Sequence, residues 1–280
     1  MALRGLLRLF QISTPQAAGE GGRMALADHF RELRARMMRA LLALIVAIVI
    51  SFFFYKSLLD LITGPYNDAV QMLGGQEKAR SELVISGIAG GLMIQLKLCA
   101  LAGVVVSSPV WLYQLWAFVL PGLHANERRW TKLFVLVAGP LFAFGVAVGY
   151  YVLPKGIQVL ISFTPADMQN LNDFNDFFSF TTRMLLVFGV AFEIPFFVVL
   201  LNLAGVVSGA SLTKHRPWIV IGTFVFAAVA TPSTDPFSML MLAIPMTLLF
   251  FASELIARLV DRRRRKSQAD ELDDETASPL

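Results

Sequence analysis

The sequence predicts an all-α integral membrane protein: one domain of six transmembrane helices, both termini on the cytoplasmic side, an amphipathic cytoplasmic segment ahead of the first span, and two longer external loops. Composition is the first reason. Hydrophobic residues make up 56% of the chain, charged residues only 16%, and mean hydropathy is +0.64, more apolar surface than a soluble core absorbs. Hydropathy runs are the second, at about 38–58, 88–112, 132–153, 178–203, 217–231 and 236–258. Most approach the ~20 residues that cross a bilayer, and together they leave no room for a separate soluble domain. The third is charge. Arg23, Arg31, Arg34, Arg36 and Arg39, then Arg128, Arg129 and Lys132, then Lys214 and Arg216, then Arg258 and residues 262–266 fall on one side of a six-span chain, whereas the alternate loops offer only Lys56, Lys78, Arg80 and Lys155. The positive-inside bias places that first side in the cytoplasm.

Residues 1–23 lack periodicity and carry Pro15, Gly19, Gly21 and Gly22, so a flexible cytoplasmic tail is expected. Its MALRGLLRLF stretch is too short for a signal peptide and reads as surface-seeking. The membrane domain, residues 24–260, begins with MALADHFRELRARMMRA. There Leu26, Phe30, Leu33 and Met37 share one helical face and Arg31, Glu32, Arg34 and Arg36 crowd the others, so this segment should lie along the membrane surface and run into the first span. The connections at 59–87 and 154–177 contain Pro65, Gly74-Gly75, Pro154 and Pro165 among several acids, and are read as the long external loops.

Residues 108–130, SPVWLYQLWAFVLPGLHANERRW, end one span and begin the next around a turn at Pro121-Gly122. Trp111, Tyr113, Trp116 and Phe118 suit headgroup depth. Glu127 stands directly before Arg128 and Arg129. It is either a structural acid at a helix N-terminus, behind an Asn126 cap and paired with its own arginines, or a carboxylate kept for a ligand. The fifth and sixth spans are separated only by ATPSTDP (230–236), and the fifth run is barely long enough to cross. From 261 to 280 the chain is basic, then acidic, and is expected to be disordered. The net charge of +4 and the RRRRK run at 262–266 fit a span flank facing anionic membrane lipids rather than a nucleic-acid site.

Ionisable groups in hydrocarbon are costly and mark function. Glu193, in FGVAFEIPFFVVLL, lies deepest, with Pro195 beside it to free a backbone carbonyl; it is a buried neutral carboxyl, a polar anchor for another membrane helix, or a titrating group. Lys97 and Arg183 lie nearer span ends, where long stems snorkel. His29, His124 and His215 fall outside the spans, no HExxH or GxSxG occurs, and no pair of intramembrane aspartates is present, so neither an enzyme nor a cofactor is expected. GIAGGL at 87–92 is not a phosphate loop. The single cysteine, Cys99, rules out an intrachain disulfide.

Four stretches in this order, HFRELRARM, SPVWLYQLWAFVLPGLHANERR, FGVAFEIP and TPSTDPFSMLMLAIPM, resemble the TatC family of the twin-arginine protein translocase, over residues 26–258. The resemblance implies a multi-pass protein of the bacterial inner membrane that binds twin-arginine signal peptides of folded cargo at the cytoplasmic face. It also implies oligomeric assembly with TatA/TatB-type single-span subunits in membrane lipid, and transport driven by the proton motive force. By position, Glu32 and Glu127 match the family's signal-binding acids, with Leu33, Arg34, Arg36 and Phe118 alongside. Glu193, Asp235 and Met239 fall in partner-contacting regions, and Pro65 matches a proline of the periplasmic cap. The loop TPSTDPF departs from the compact TPPD-type form, and Met239 stands where glutamine is frequent. A proton-coupled secondary transporter with Glu193 titrating is the alternative, although no half-to-half repeat of the kind such carriers show is visible.

Overall fold

The computed structural model describes residues 26–73, 81–119, 128–165, 168–203, 205–231 and 236–276. The expected tail at 1–23, the Pro121-Gly122 turn, Glu127 and Asp235 lie outside them. The chain folds as two compact units. One draws on the described parts of Met1–Leu59 and Gly91–Pro140, the other on those of Asp60–Gly90 and Leu141–Leu280.

In the first unit, α1 (Leu26–Phe53) is a single helix, so the amphipathic segment and the first span join without a break. The predicted second span is instead two helices, α3 (Gly90–Val106) and α4 (Ser108–Val119), bent by 58°. Pro109 is the reason: it brings no N–H to the ladder and its ring clashes with the preceding turn. Side chains heal the break, since Ser107 Oγ donates to Gly103 O at 2.7 Å and Trp111 Nε1 donates to Val104 O at 2.9 Å. α3 approaches α1 closely at Gly103, where a Cβ would lie 2.4 Å from the Ile48 side chain and 3.1 Å from its backbone nitrogen.

The first long connection is not the loop the sequence suggests. It contains α2 (Tyr55–Gln71), whose buried Ile62, Pro65, Tyr66 and Ala69 follow helical spacing. Lys56, Asp60 and Asp68 on the remaining faces mask that stripe from a hydropathy window. Pro65 sits inside this helix and leaves the Leu61 carbonyl without its usual donor. Tyr150 Oη, from α5 (Arg128–Ser162), donates to that carbonyl at 2.9 Å. The connection continues into β1 (Ser81–Val84), which pairs in parallel with β2 (Asn170–Asp173) in the register Ser81↔Asn170 to Val84↔Asp173. Asn172 Nδ2 donates to Tyr66 Oη at 3.2 Å, Ser86 Oγ donates to the Asp173 carboxylate, and Tyr66 meets Phe177 edge-on at 5.5 Å. The two long connections are thereby one built layer.

α6 (Phe174–Leu203) packs on the second half of α5 through paired glycines. A Cβ at Gly145 would lie 2.6 Å from the Phe188 carbonyl oxygen, and one at Gly189 would lie 2.6 Å from the Phe142 ring. Phe142 and Phe188 are fully buried in that contact. The short α7 (Gly209–Lys214), α8 (Arg216–Ala230) and α9 (Pro236–Thr276) follow. α9 packs against α6, α7 and α8 over a core of Leu212, Phe250 and Ala257, flanked by Val198, Val207 and Ile219. Its backbone stays helical through residues 261–276, where the sequence reading expects disorder. Four arginines at 262–265 followed by Lys266, Gln268, Ala269, Glu271, Leu272 and Glu275, all good helix formers, outweigh the aspartates of that stretch.

Among the described residues, Phe30–Phe53, Val137–Ser162, Phe174–Leu203 and Pro236–Arg264 are long and apolar enough to cross a membrane, and the bent α3–α4 pair makes a fifth candidate. α8 has 15 residues and reaches about 22 Å, short of a ~30 Å hydrocarbon core.

Candidate functional site

In the first unit, Glu32, Leu33, Arg34 and Arg36 occupy one turn and a little more of α1. The i,i+4 spacing brings Arg36 onto Glu32, with Arg36 Nε donating to Glu32 Oε1 at 2.9 Å. Arg36 Nη2 also goes to Oε1, so no described residue bonds Oε2. The pair is partly buried, Leu33 is half-buried and Arg34 is exposed. α1 packs along α4, and Phe118, near the end of α4, is half-buried. A carboxylate with one oxygen held by its own arginine and no described residue on the other can accept a second guanidinium. The chain then enters residues 120–127, so Glu127 is outside the described part.

In the second unit, Glu193 is 5% exposed on α6, one turn past the glycine-packed contact. Its carboxylate oxygens lie near the Phe142 backbone without completing a hydrogen bond of normal geometry. Phe192 beside it packs edge-on against Phe144 at 5.7 Å. A buried carboxyl with no completed hydrogen bond among the described residues needs either a proton or a further polar group. Lys97 and Arg183, by contrast, are exposed. Met239 is half-buried in the first turn of α9, and Pro65 is buried in α2 against the Tyr150 contact already described. The second unit thus holds Pro65, Glu193 and Met239, and the first holds the Glu32 turn and Phe118.

Sequence reasoning missed the densest polar cluster. Glu254 on α9 is 1% exposed and accepts Arg216 as a fork, Nε to Oε2 at 2.6 Å and Nη2 to Oε1 at 2.7 Å. Thr213 Oγ1 donates to its Oε1 at 2.7 Å, and Arg258 Nη2 pairs with the same oxygen at 2.8 Å. One helical turn further along, Asp261 accepts from Asn202 Nδ2 at 2.9 Å and from the Gly209 N–H at 2.7 Å. Arg264 donates to the last carbonyls of α6, at Asn202 and Leu203. Four helices, α6 to α9, are thereby fastened together at one end. The signal was present: an acid inside the apolar run 236–258, four residues before Arg258.

The family model for the Sec-independent protein translocase protein (TatC) matches residues 28–245. A TatC of Frankia casuarinae is 44% identical over 269 residues, covering 93% of this chain and 74% of the relative. One of Corynebacterium kroppenstedtii is 36% identical, covering 96% and 70%. A crystal structure of the twin arginine translocase receptor TatC superposes with a TM-score of 0.68 at 29% identity, over 82% of this chain and 98% of that one. With a family model that covers most of its length, relatives well above 30% identity and a matching membrane fold, the chain belongs to the TatC family of Sec-independent protein translocase subunits, which are multi-pass membrane components of protein transport and not enzymes.

Proposed function

We propose that this chain is the receptor subunit of a twin-arginine translocase. It binds the paired arginines of a signal peptide at the cytoplasmic face through Glu32 and Glu127, with Leu33, Arg34, Arg36 and Phe118 forming the surrounding surface. The observation that carries the reading is Oε2 of Glu32, which has no bond from any described residue, on a helix packed along α4, the element that leads into Glu127. Guanidinium is the cation that meets a carboxylate as a planar fork, and an ammonium cannot reproduce that fit. The chain crosses the membrane six times with both termini cytoplasmic, as its loop charges imply, and transport draws on the proton motive force.

Glu193, Asp235 and Met239 serve the second task, contact with TatA/TatB-type single-span subunits. The support is the burial of Glu193 among apolar neighbours with no completed hydrogen bond, a demand that a polar side chain of a partner helix meets. Pro65 contributes through α2 to the periplasmic cap, where the Leu61 carbonyl it frees is held by Tyr150. Export of a reporter with an Arg-Arg signal, in cells whose only such receptor is this chain, tests the whole reading. Export is expected with the wild type and is expected to stop with Glu32→Ala or Glu127→Ala while the protein still reaches the membrane. Undiminished export with both carboxylates removed overturns it.

A further inference from the structure

The end of α9 carries a feature that receptor function does not use. Arg258, Arg262 and Lys266 recur every four residues and so share one helical face, and with Ala210, Thr213 and Asp261 they line an open cleft of about 610 Å³ against α7. The three cations are not equivalent. Arg258 is committed to Glu254 and Thr213, and Asp261 to Asn202 and the Gly209 N–H. Arg262 and Lys266 are exposed and have no ion pair among the described residues. One carboxylate, already bonded, therefore faces three cations, two of them unengaged.

Position sets the chemistry of the ligand. The apolar part of α9 that qualifies as a membrane span ends at Arg264, so the cleft opens where a bilayer presents its headgroups. On the membrane side of Arg262 and Lys266, Leu255 and Leu259 are 60% and 50% exposed on the same stretch of helix, a surface suited to acyl chains. Cations above and leucines below match an amphiphile with a negative head, and the guanidinium of Arg262 offers a phosphate two parallel donors.

We propose that this cleft binds the headgroup phosphate of an anionic phospholipid, held by Arg262 and Lys266 with Arg258 behind them and the acyl chains along Leu255 and Leu259. The inference requires only that α9 cross the membrane, and stands apart from the signal-peptide reading. Delipidated full-length protein is titrated with phosphatidylglycerol or phosphatidylcholine, and bound lipid is counted by native mass spectrometry. Phosphatidylglycerol is expected to bind in preference. Arg262→Gln with Lys266→Gln should weaken it by about fivefold per cation removed. The swap Arg262→Lys with Lys266→Arg should retain it, and Arg263→Gln, an exposed charge outside the cleft, should leave it within about twofold. Equal retention of phosphatidylcholine overturns the proposal. So does an equal loss with Arg263→Gln, which would mean diffuse surface attraction, and so does full displacement by millimolar inorganic phosphate, which would mean a free-phosphate site.

Discussion

Glu254 gives the sharpest test of the packing. Glu254→Ala removes four bonds at once and leaves the guanidinium groups of Arg216 and Arg258 facing each other without the carboxylate between them. Breaking a buried ion pair by deleting one partner costs roughly 3–5 kcal/mol. Here the carboxylate is buried but both arginine side chains are a little over 40% exposed, so water relieves part of the imbalance and the lower end, about 3 kcal/mol, is appropriate. At roughly 2–4 °C per kcal/mol for a chain of this size, the melting point should fall by about 6–12 °C. Glu254→Gln, which keeps an acceptor but not the charge, should fall between. Arg216→Gln should cost stability in the wild type and little once Glu254 is gone, because the interaction it loses is already absent. Thermal unfolding of the purified protein in detergent, followed by tryptophan fluorescence, reads the wild type, the three single variants and the double variant. A Glu254→Ala protein melting within about 2 °C of wild type would refute the reasoning.

Three further outcomes follow from particular contacts. Gly145→Ala should destabilise by roughly 1–3 kcal/mol because its Cβ meets the Phe188 carbonyl. Gly156→Ala, whose Cβ finds only Met241 Sδ at 3.8 Å, should be neutral or stabilising; equal losses at both sites in the same melts would contradict this. Burial raises the Tyr66 phenol above its ordinary value. Its contribution is therefore complete below pH ~10 and is lost as pH rises further, through the folded-state value, and Tyr66→Phe should flatten that alkaline loss of stability. Glu193→Ala should lower co-purification of single-span partner subunits with the melting point unchanged or raised, since an uncompensated buried carboxyl has been removed; intact partner capture would argue for the proton-carrier alternative instead.

Much of the architecture was legible in hydropathy, because a bilayer demands long apolar runs and the chain supplies them wherever α1, α5, α6 and α9 stand. The misreadings have specific causes. Pro109 divides one continuous apolar run into α3 and α4, which a window average cannot register. α2 is amphipathic, so its buried stripe of Ile62, Pro65, Tyr66 and Ala69 is averaged away by Lys56, Asp60 and Asp68. The β1–β2 pairing joins residues almost ninety positions apart, and four-residue strands carry no periodicity long enough to read. At the site, the deep Glu193 followed from hydropathy, whereas Glu32 and Arg36 were singled out by the family resemblance and their i,i+4 pairing came from the structure. Glu254 was missed, because its partners Thr213 and Arg216 come from other helices and only folding brings them to it.

The receptor claim turns on guanidinium recognition, and the most direct measurement is the affinity of membranes carrying this chain for a signal peptide with Arg-Arg, against the same peptide with Lys-Lys. Charge-assisted hydrogen bonds are worth about 1.5–3 kcal/mol, so the Arg-Arg peptide should bind at least about tenfold more tightly, and Glu32→Ala or Glu127→Ala should abolish that preference. Equal binding of the two peptides, or a preference that survives both substitutions, would contradict the account and leave these acids as structural partners of their own arginines.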